Sequence, residues 1–176
     1  SNGRWELVIW DANIVMGNSG SDGPANLPLF TTGDPTLSRW FAAGSPFRRR
    51  YLTAYHNLIN GPFQASVISP MLDAKYAAFQ EHGVAAVSPD TIKTWINSAR
   101  AYILSQISND SAPFSVTGME GQGPFSLSGT GPLDMIGLRI NDSLVPVTWT
   151  STTLWTAIYS PATPADRLNV AALNQS

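Results

Sequence analysis

The sequence predicts an α+β fold: a mostly helical part with a short leading β element, then a small antiparallel β-sandwich. Three observations predict it. Apolar residues recur at helical spacing before Asn109 and alternate with polar ones after Pro113. The polar break Asn109-Asp110-Ser111-Ala112-Pro113 separates the two periodicities. We therefore read a helical part over residues 1–109 and an all-β module over residues 113–176.

The leading β element is Leu7-Val8-Ile9, flanked by Trp5 and Trp10. It is too short for a helix and built of residues that suit a strand buried on both faces. Helices follow. One spans Thr36 to Ala43, with Asp34 as N-cap, Pro35 at the first position and Gly44 past its end. Ser45-Pro46 starts a second, whose expected apolar face is Phe47, Tyr51, Ala54, Tyr55, Leu58 and Ile59 and which Gly61-Pro62 stops. Arg48, Arg49, Arg50, Thr53, His56 and Asn57 are expected mostly elsewhere on it. A third, Ala65 to His82, is re-started or kinked at Pro70, buries Leu72, Tyr76 and Phe79 on one side and ends at Gly83. Ser88-Pro89-Asp90 opens the fourth, where Ile92, Trp95, Ile96, Ala99, Ile103 and Ile107 follow the helical pattern throughout.

Beyond Pro113 the alternating sets are Phe125 with Leu127; Ile136, Leu138 and Ile140; Val145, Val147 and Trp149; Trp155, Ala157 and Tyr159; and Leu168 with Val170. Asn141-Asp142-Ser143 is a hairpin turn signal between two of these runs. Short strands at this spacing, with no helical pattern between them, predict an immunoglobulin-like sandwich.

Composition narrows the function classes. Only 12% of the 176 residues are charged, about half the usual share, and Gly, Pro, Ser, Thr and Asn fill the gap. That balance points to an exported or cell-surface protein. The net charge of −2 leaves no basic footprint for nucleic acid. Cysteine is absent, which excludes disulfide frameworks, thiolate metal sites and cysteine nucleophiles. No stretch approaches the length of a membrane span, and we read no signal peptide. The opening Ser1-Asn2-Gly3 reads as a cut or processed start.

The stretch with the most chemical content lies at the front. Asp11 and Asn13 end the leading β element and precede Gly17 and a polar loop. In a strand, side chains two apart point the same way, so the pair could offer oxygens to one hard cation. The alternative is that Asp11 caps the loop and Asn13 makes a turn.

The run Gly3-Arg4-Trp5-Glu6-Leu7-Val8-Ile9-Trp10-Asp11-Ala12-Asn13, with Gly17 after it, resembles the "gkW…PWDxD…G" segment of CotH-type kinases, secreted atypical protein kinases named from a spore-coat protein. Ser45-Pro46-Phe47-Arg48-Arg49-Arg50-Tyr51 is similar to the family's "P-x-F-R-x-x-Y" helix. Leu58 and Gly61-Pro62-Phe63 continue that likeness, and Pro70 and Asp73 stand where the next helix carries Pro and Asp. The part from Phe114 resembles the β module that often follows CotH-like regions. Its matches are Leu127-Ser128-Gly129-Thr130-Gly131-Pro132, Ile140-Asn141-Asp142 and Val147-Thr148-Trp149-Thr150-Ser151 with Trp155.

The resemblance implies a C-lobe-like arrangement for the helical part, Mg²⁺ with ATP as cofactor and a protein as possible substrate. It gives Asp11 the part of the metal-binding Asp. Asn13 replaces the second acid, removing one negative charge while keeping a carbonyl oxygen that can ligate. The nucleotide-contacting Lys, the glycine-rich loop and the catalytic Asp and Asn belong before this strand, and the chain contains none of them. Phosphoryl transfer needs those parts together, so activity is expected only with an upstream part of the same protein or another chain.

Other chemistry is thin. His56 and His82 fall on different helices without a second ligand at metal spacing, and His82 sits in a last turn, where it complements the macrodipole. There is no G-x-S-x-G elbow, and Gly118, Gly121, Gly123, Gly129 and Gly131 do not precede a helix as a phosphate loop would. Arg48-Arg49-Arg50 reads either as a phosphate clamp or, since consecutive residues fan round a helix, as a solvated face with local ion pairs. Trp149 and Trp155 read either as sandwich core or as a sugar-stacking platform. Three functions follow: the C-terminal part of a CotH-like kinase, a non-catalytic structural or adhesive piece of a surface protein, and a carbohydrate-binding β module.

Overall fold

A computed structural model describes residues 16, 23–30, 33–161 and 167–174. The leading β element lies outside them. The described chain is α+β. It runs through α1 (Pro35–Phe41), α2 (Pro46–Asn60), α3 (Ala65–Glu81), α4 (Asp90–Ile107) and a 3₁₀ turn (Ser108–Asp110). The strands follow: β1 (Ser115–Glu120), β2 (Phe125–Thr130), β3 (Met135–Ile140), β4 (Ser143–Val145), β5 (Thr148–Trp149), β6 (Leu154–Tyr159) and β7 (Val170–Asn174). The change from helix to strand thus falls at the polar break read from the sequence. The division into compact units is a different matter: one comprises Ser1–Leu27 with Pro62–Tyr102, the other Pro28–Gly61 with Ile103–Ser176. The second therefore holds α1, α2 and the end of α4 together with the strands.

In the first unit, α3 continues through Pro70 to Glu81, with His82 as its C-cap and Gly83 in the left-handed region at φ 65°. Glycine, lacking a Cβ, takes that conformation at little cost, and the helix stops there. Leu72 and Tyr76 are half-buried, but Phe79 is exposed. The Ser88 hydroxyl accepts from the Asp90 N–H at 3.4 Å and donates to the Asp90 carboxylate at 2.6 Å, capping α4. Lys93 of α4 reaches Asp73 of α3 and also lies near Asp90. Ile96 and Ala99 are buried, as their helical spacing predicts.

The second unit has two apolar clusters. Leu29, Leu52, Ile59, Ile103 and Ile107 form the helical one, joined by Leu133 from the β2–β3 connection. Leu127, Met135, Leu138, Ile140, Val145, Trp155, Ala157 and Tyr159 fill the sandwich, with Phe114 stacked 6.1 Å from Trp155. The sheets are antiparallel, in the orders β1-β2-β6-β5 and β4-β3-β7. At the turn between β3 and β4, Asn141 takes φ 51°, and its side-chain oxygen accepts from the Asn169 N–H at 3.0 Å, which ties the hairpin to the lead-in of β7.

Several expectations change. Asp34 caps α1 through the Thr36 N–H at 2.6 Å, but the helix stops at Phe41, because Ala42 already has extended backbone. On α2 the inward stripe is Arg49, Leu52 and Ile59, whereas Phe47 and Ala54 are exposed. Ile136 faces out because a bulge between Met135 and Gly137 shifts the register and reverses the alternation. Pro146 splits the expected run from Val145 to Trp149, so β4 and β5 join different sheets. β1 lacked a sequence signal: its own bulge between Val116 and Gly118 leaves no clean alternation.

Candidate functional site

Asp11 and Asn13, the metal ligands expected from the sequence, lie outside the described residues. Among the described residues no group of His, Asp and Glu could hold a metal ion, and no helix is long and apolar enough to cross a membrane. His82 is the C-cap of α3 in the first unit; in the second, the His56 Nδ1 on α2 is buried without a hydrogen-bond partner among the described residues.

The polar chemistry of the second unit concentrates on three consecutive arginines, which fan round α2 and meet three different fates. Arg48 forms a two-pronged pair with Asp110 at 2.9 and 3.1 Å, donates to the Phe41 carbonyl at 2.6 Å and lies over the Phe30 ring. This ion pair fastens the start of α2 to the end of the α4 segment. Arg49 turns the other way, into the protein. Its guanidinium donates to the carbonyls of Thr152, Pro132 (2.6 Å), Met135 (3.2 Å) and Leu133 (3.4 Å) and lies over the Trp149 ring, 3.1 Å from its centroid. Arg50 remains exposed, with no hydrogen bond or ion pair to any described residue.

The Arg49 arrangement has a plain physical logic. The four carbonyls belong to Thr152, just before β6, and to Pro132, Leu133 and Met135, where the β2–β3 connection enters β3, and buried carbonyls need donors. A guanidinium offers five donors in a rigid fork and is less strongly hydrated than an ammonium, so one side chain serves the set. Burial lowers the Arg49 pKa to about 10, partly offset by Asp134, and the group stays charged at neutral pH. Thr53, one turn on, donates to the Leu133 carbonyl at 3.1 Å and extends the same seam. Beside it, Tyr51 donates to the Leu29 carbonyl at 2.7 Å, and burial, with its neighbour Tyr55, pushes its phenol above the ordinary range.

No family model, curated protein or solved structure matches this chain. Any functional assignment therefore rests on the chain's own residues.

Trp155 is buried in the sandwich, where its indole N–H donates to the Thr130 carbonyl at 2.7 Å. It is core and cannot serve as a platform for a ligand. Trp149 is half-buried and lines two clefts. The first, of about 450 Å³, is bounded by Ser45, Phe47 and Arg50 of the α2 start and by Val147–Ser151 of the β5 segment. The second, of about 410 Å³, runs past Arg50, Thr53 and Ala54 toward Leu133 and Ile136. Sequence reasoning anticipated neither the Arg49 cluster nor these clefts. One signal was present: Arg49, Leu52, His56 and Ile59 share a single helical stripe, and an arginine heading an otherwise inward stripe marks a buried donor site.

Proposed function

We propose that the chain is the C-terminal portion of an exported CotH-like atypical protein kinase, and that its described residues form a non-catalytic scaffold. The observation that supports this reading is where the family-like residues stand. Pro46, Phe47, Arg48 and Tyr51 open one helix, Pro70 and Asp73 lie together on the next, and two antiparallel sheets follow. The motif residues Arg48 and Tyr51 act as fasteners, through Asp110, Phe41 and Leu29. On this reading Asp11 and Asn13 would hold Mg²⁺ with ATP, the metal supplying charge neutralisation. The nucleotide Lys and catalytic Asp come from an upstream segment or another chain, and a protein is the phosphate acceptor.

The test uses this chain joined to the segment that carries the missing Lys. Calorimetry should detect Mg–ATP binding that Asp11→Ala abolishes without lowering the melting temperature, and the chain alone should transfer no phosphate. Unchanged Mg–ATP affinity in the Asp11→Ala protein overturns the assignment. A second reading, a structural or adhesive piece of a surface protein, is favoured by the complete commitment of Arg48 and Arg49 to internal contacts. It gains if the joined protein binds no nucleotide.

A further inference from the structure

We propose that the cleft between the start of α2 and β5 binds a carboxylated saccharide, an oligomer of uronic acid type, with Arg50 on a carboxylate and Phe47 and Trp149 against the sugar rings. The proposal goes beyond the kinase reading and does not depend on Asp11. Its size is right: about 450 Å³ lies within the usual range for small-molecule sites. Its lining combines what such a ligand needs. Phe47, 48% exposed, and the half-buried Trp149 offer apolar ring surface, and the hydroxyls of Ser45, Thr148 and Ser151 stand around them. Trp40, 46% exposed and 5.5 Å from Phe47 between ring centroids, prolongs the aromatic surface.

The charge points to an anion. Arg48 and Arg49 are saturated by Asp110 and by backbone carbonyls, but Arg50 has no partner among the described residues and lines the cleft. A free guanidinium matches a carboxylate through two parallel hydrogen bonds. A single cation suits a singly charged carboxylate better than a phosphate group, which carries nearly two charges. Arg50 and Trp149 also line the second cleft of about 410 Å³, which favours an extended oligomer over an isolated ion.

The wall is built in advance. Trp149 is held by Arg49. The segment after it is closed by the Thr150 N–H on the Leu154 carbonyl at 2.9 Å, and the Ser151 hydroxyl accepts from the Leu154 N–H at 2.9 Å. Binding at such a wall loses little to ordering.

The experiment titrates the full chain with trigalacturonate, with neutral cellotriose and with inorganic phosphate, followed by calorimetry and by the Trp149 indole N–H signal in NMR spectra. Trigalacturonate should bind and shift that signal, cellotriose should bind about tenfold more weakly or worse, and Arg50→Gln should bring the two level. Phe47→Ala should weaken both sugars. Both residues are exposed, so melting temperatures should hold; Thr148→Val, which removes only a hydroxyl, provides a further variant if either falls. The proposal is overturned if trigalacturonate fails to bind at millimolar concentration, or if Arg50→Gln and Phe47→Ala both bind it like the parent chain. Phosphate competing as well as trigalacturonate would overturn the sugar assignment and leave a plain anion pocket.

Discussion

Arg49 carries the most consequence of any single side chain described. It is 6% exposed, and removing it would take a donor from the carbonyls of Thr152, Pro132, Leu133 and Met135; Leu133 would keep Thr53, and Pro132 the Met135 N–H. Arg49→Met keeps the length and apolar stem but loses every donor, and should destabilise the second unit by about 2–4 kcal/mol in urea titrations. Arg49→Lys should recover less than half of that loss, because three donors on a point charge cannot reproduce the planar fork. Full recovery by lysine would show that charge alone, not fork geometry, holds the carbonyls.

At the scale of elements, the start of α4 brings together an acid and a base whose titration is shifted in opposite directions. Asp90 is held below its ordinary pKa by the Ser88 hydroxyl and then by Lys93, whereas Lys93 is raised mainly by Asp73. The Asp90 contribution is therefore present above the unfolded value of about 3.9 and is lost as pH falls through the lower folded value. The Lys93 contribution is present below about 10.4 and is lost as pH rises through the higher folded value. Amide exchange in the first turn of α4 should thus accelerate at both extremes beyond its intrinsic pH dependence, and Ser88→Ala should weaken the acid limb alone. A different element sets the tolerance of the sandwich. β2 passes so near β1 and Trp155 at Gly129 that an added Cβ would collide with the Ser115 carbonyl and the indole ring. Gly129→Ala should cost about 1–3 kcal/mol or prevent folding, as a thermal melt would reveal; an unchanged melting temperature would mean the strands separate more easily than this geometry implies.

On the scale of the molecule, the second unit joins residues far apart in sequence. Leu133 leaves the β2–β3 connection to enter the helical cluster, while its carbonyl receives Arg49 and Thr53 of α2. The helices and the sandwich of this unit should therefore unfold together. Leu133→Ala should lower stability by about 2–5 kcal/mol and shift hydrogen exchange in α2 and in β6 by the same amount. Separate shifts in the two elements would show that each folds on its own.

The sequence alone determined what depends on neighbours a few residues apart. The caps at Asp34 and Ser45, the stop at Gly83, the Asn141 turn and the buried face of Ile96, Ala99, Ile103 and Ile107 were all legible, since local hydrogen bonds and helical spacing decide them. The alternation of Trp155, Ala157 and Tyr159 was legible for the same reason. Tertiary structure alone decided which way α2 faces, because the carbonyls that draw Arg49 inward come from residues 83 to 103 positions away. It also decided which strands pair, where bulges reverse an alternation, and that Phe47, Arg50 and Trp149 come to line one cleft. Short-range order is written in spacing; a partner distant in sequence leaves no local pattern to read.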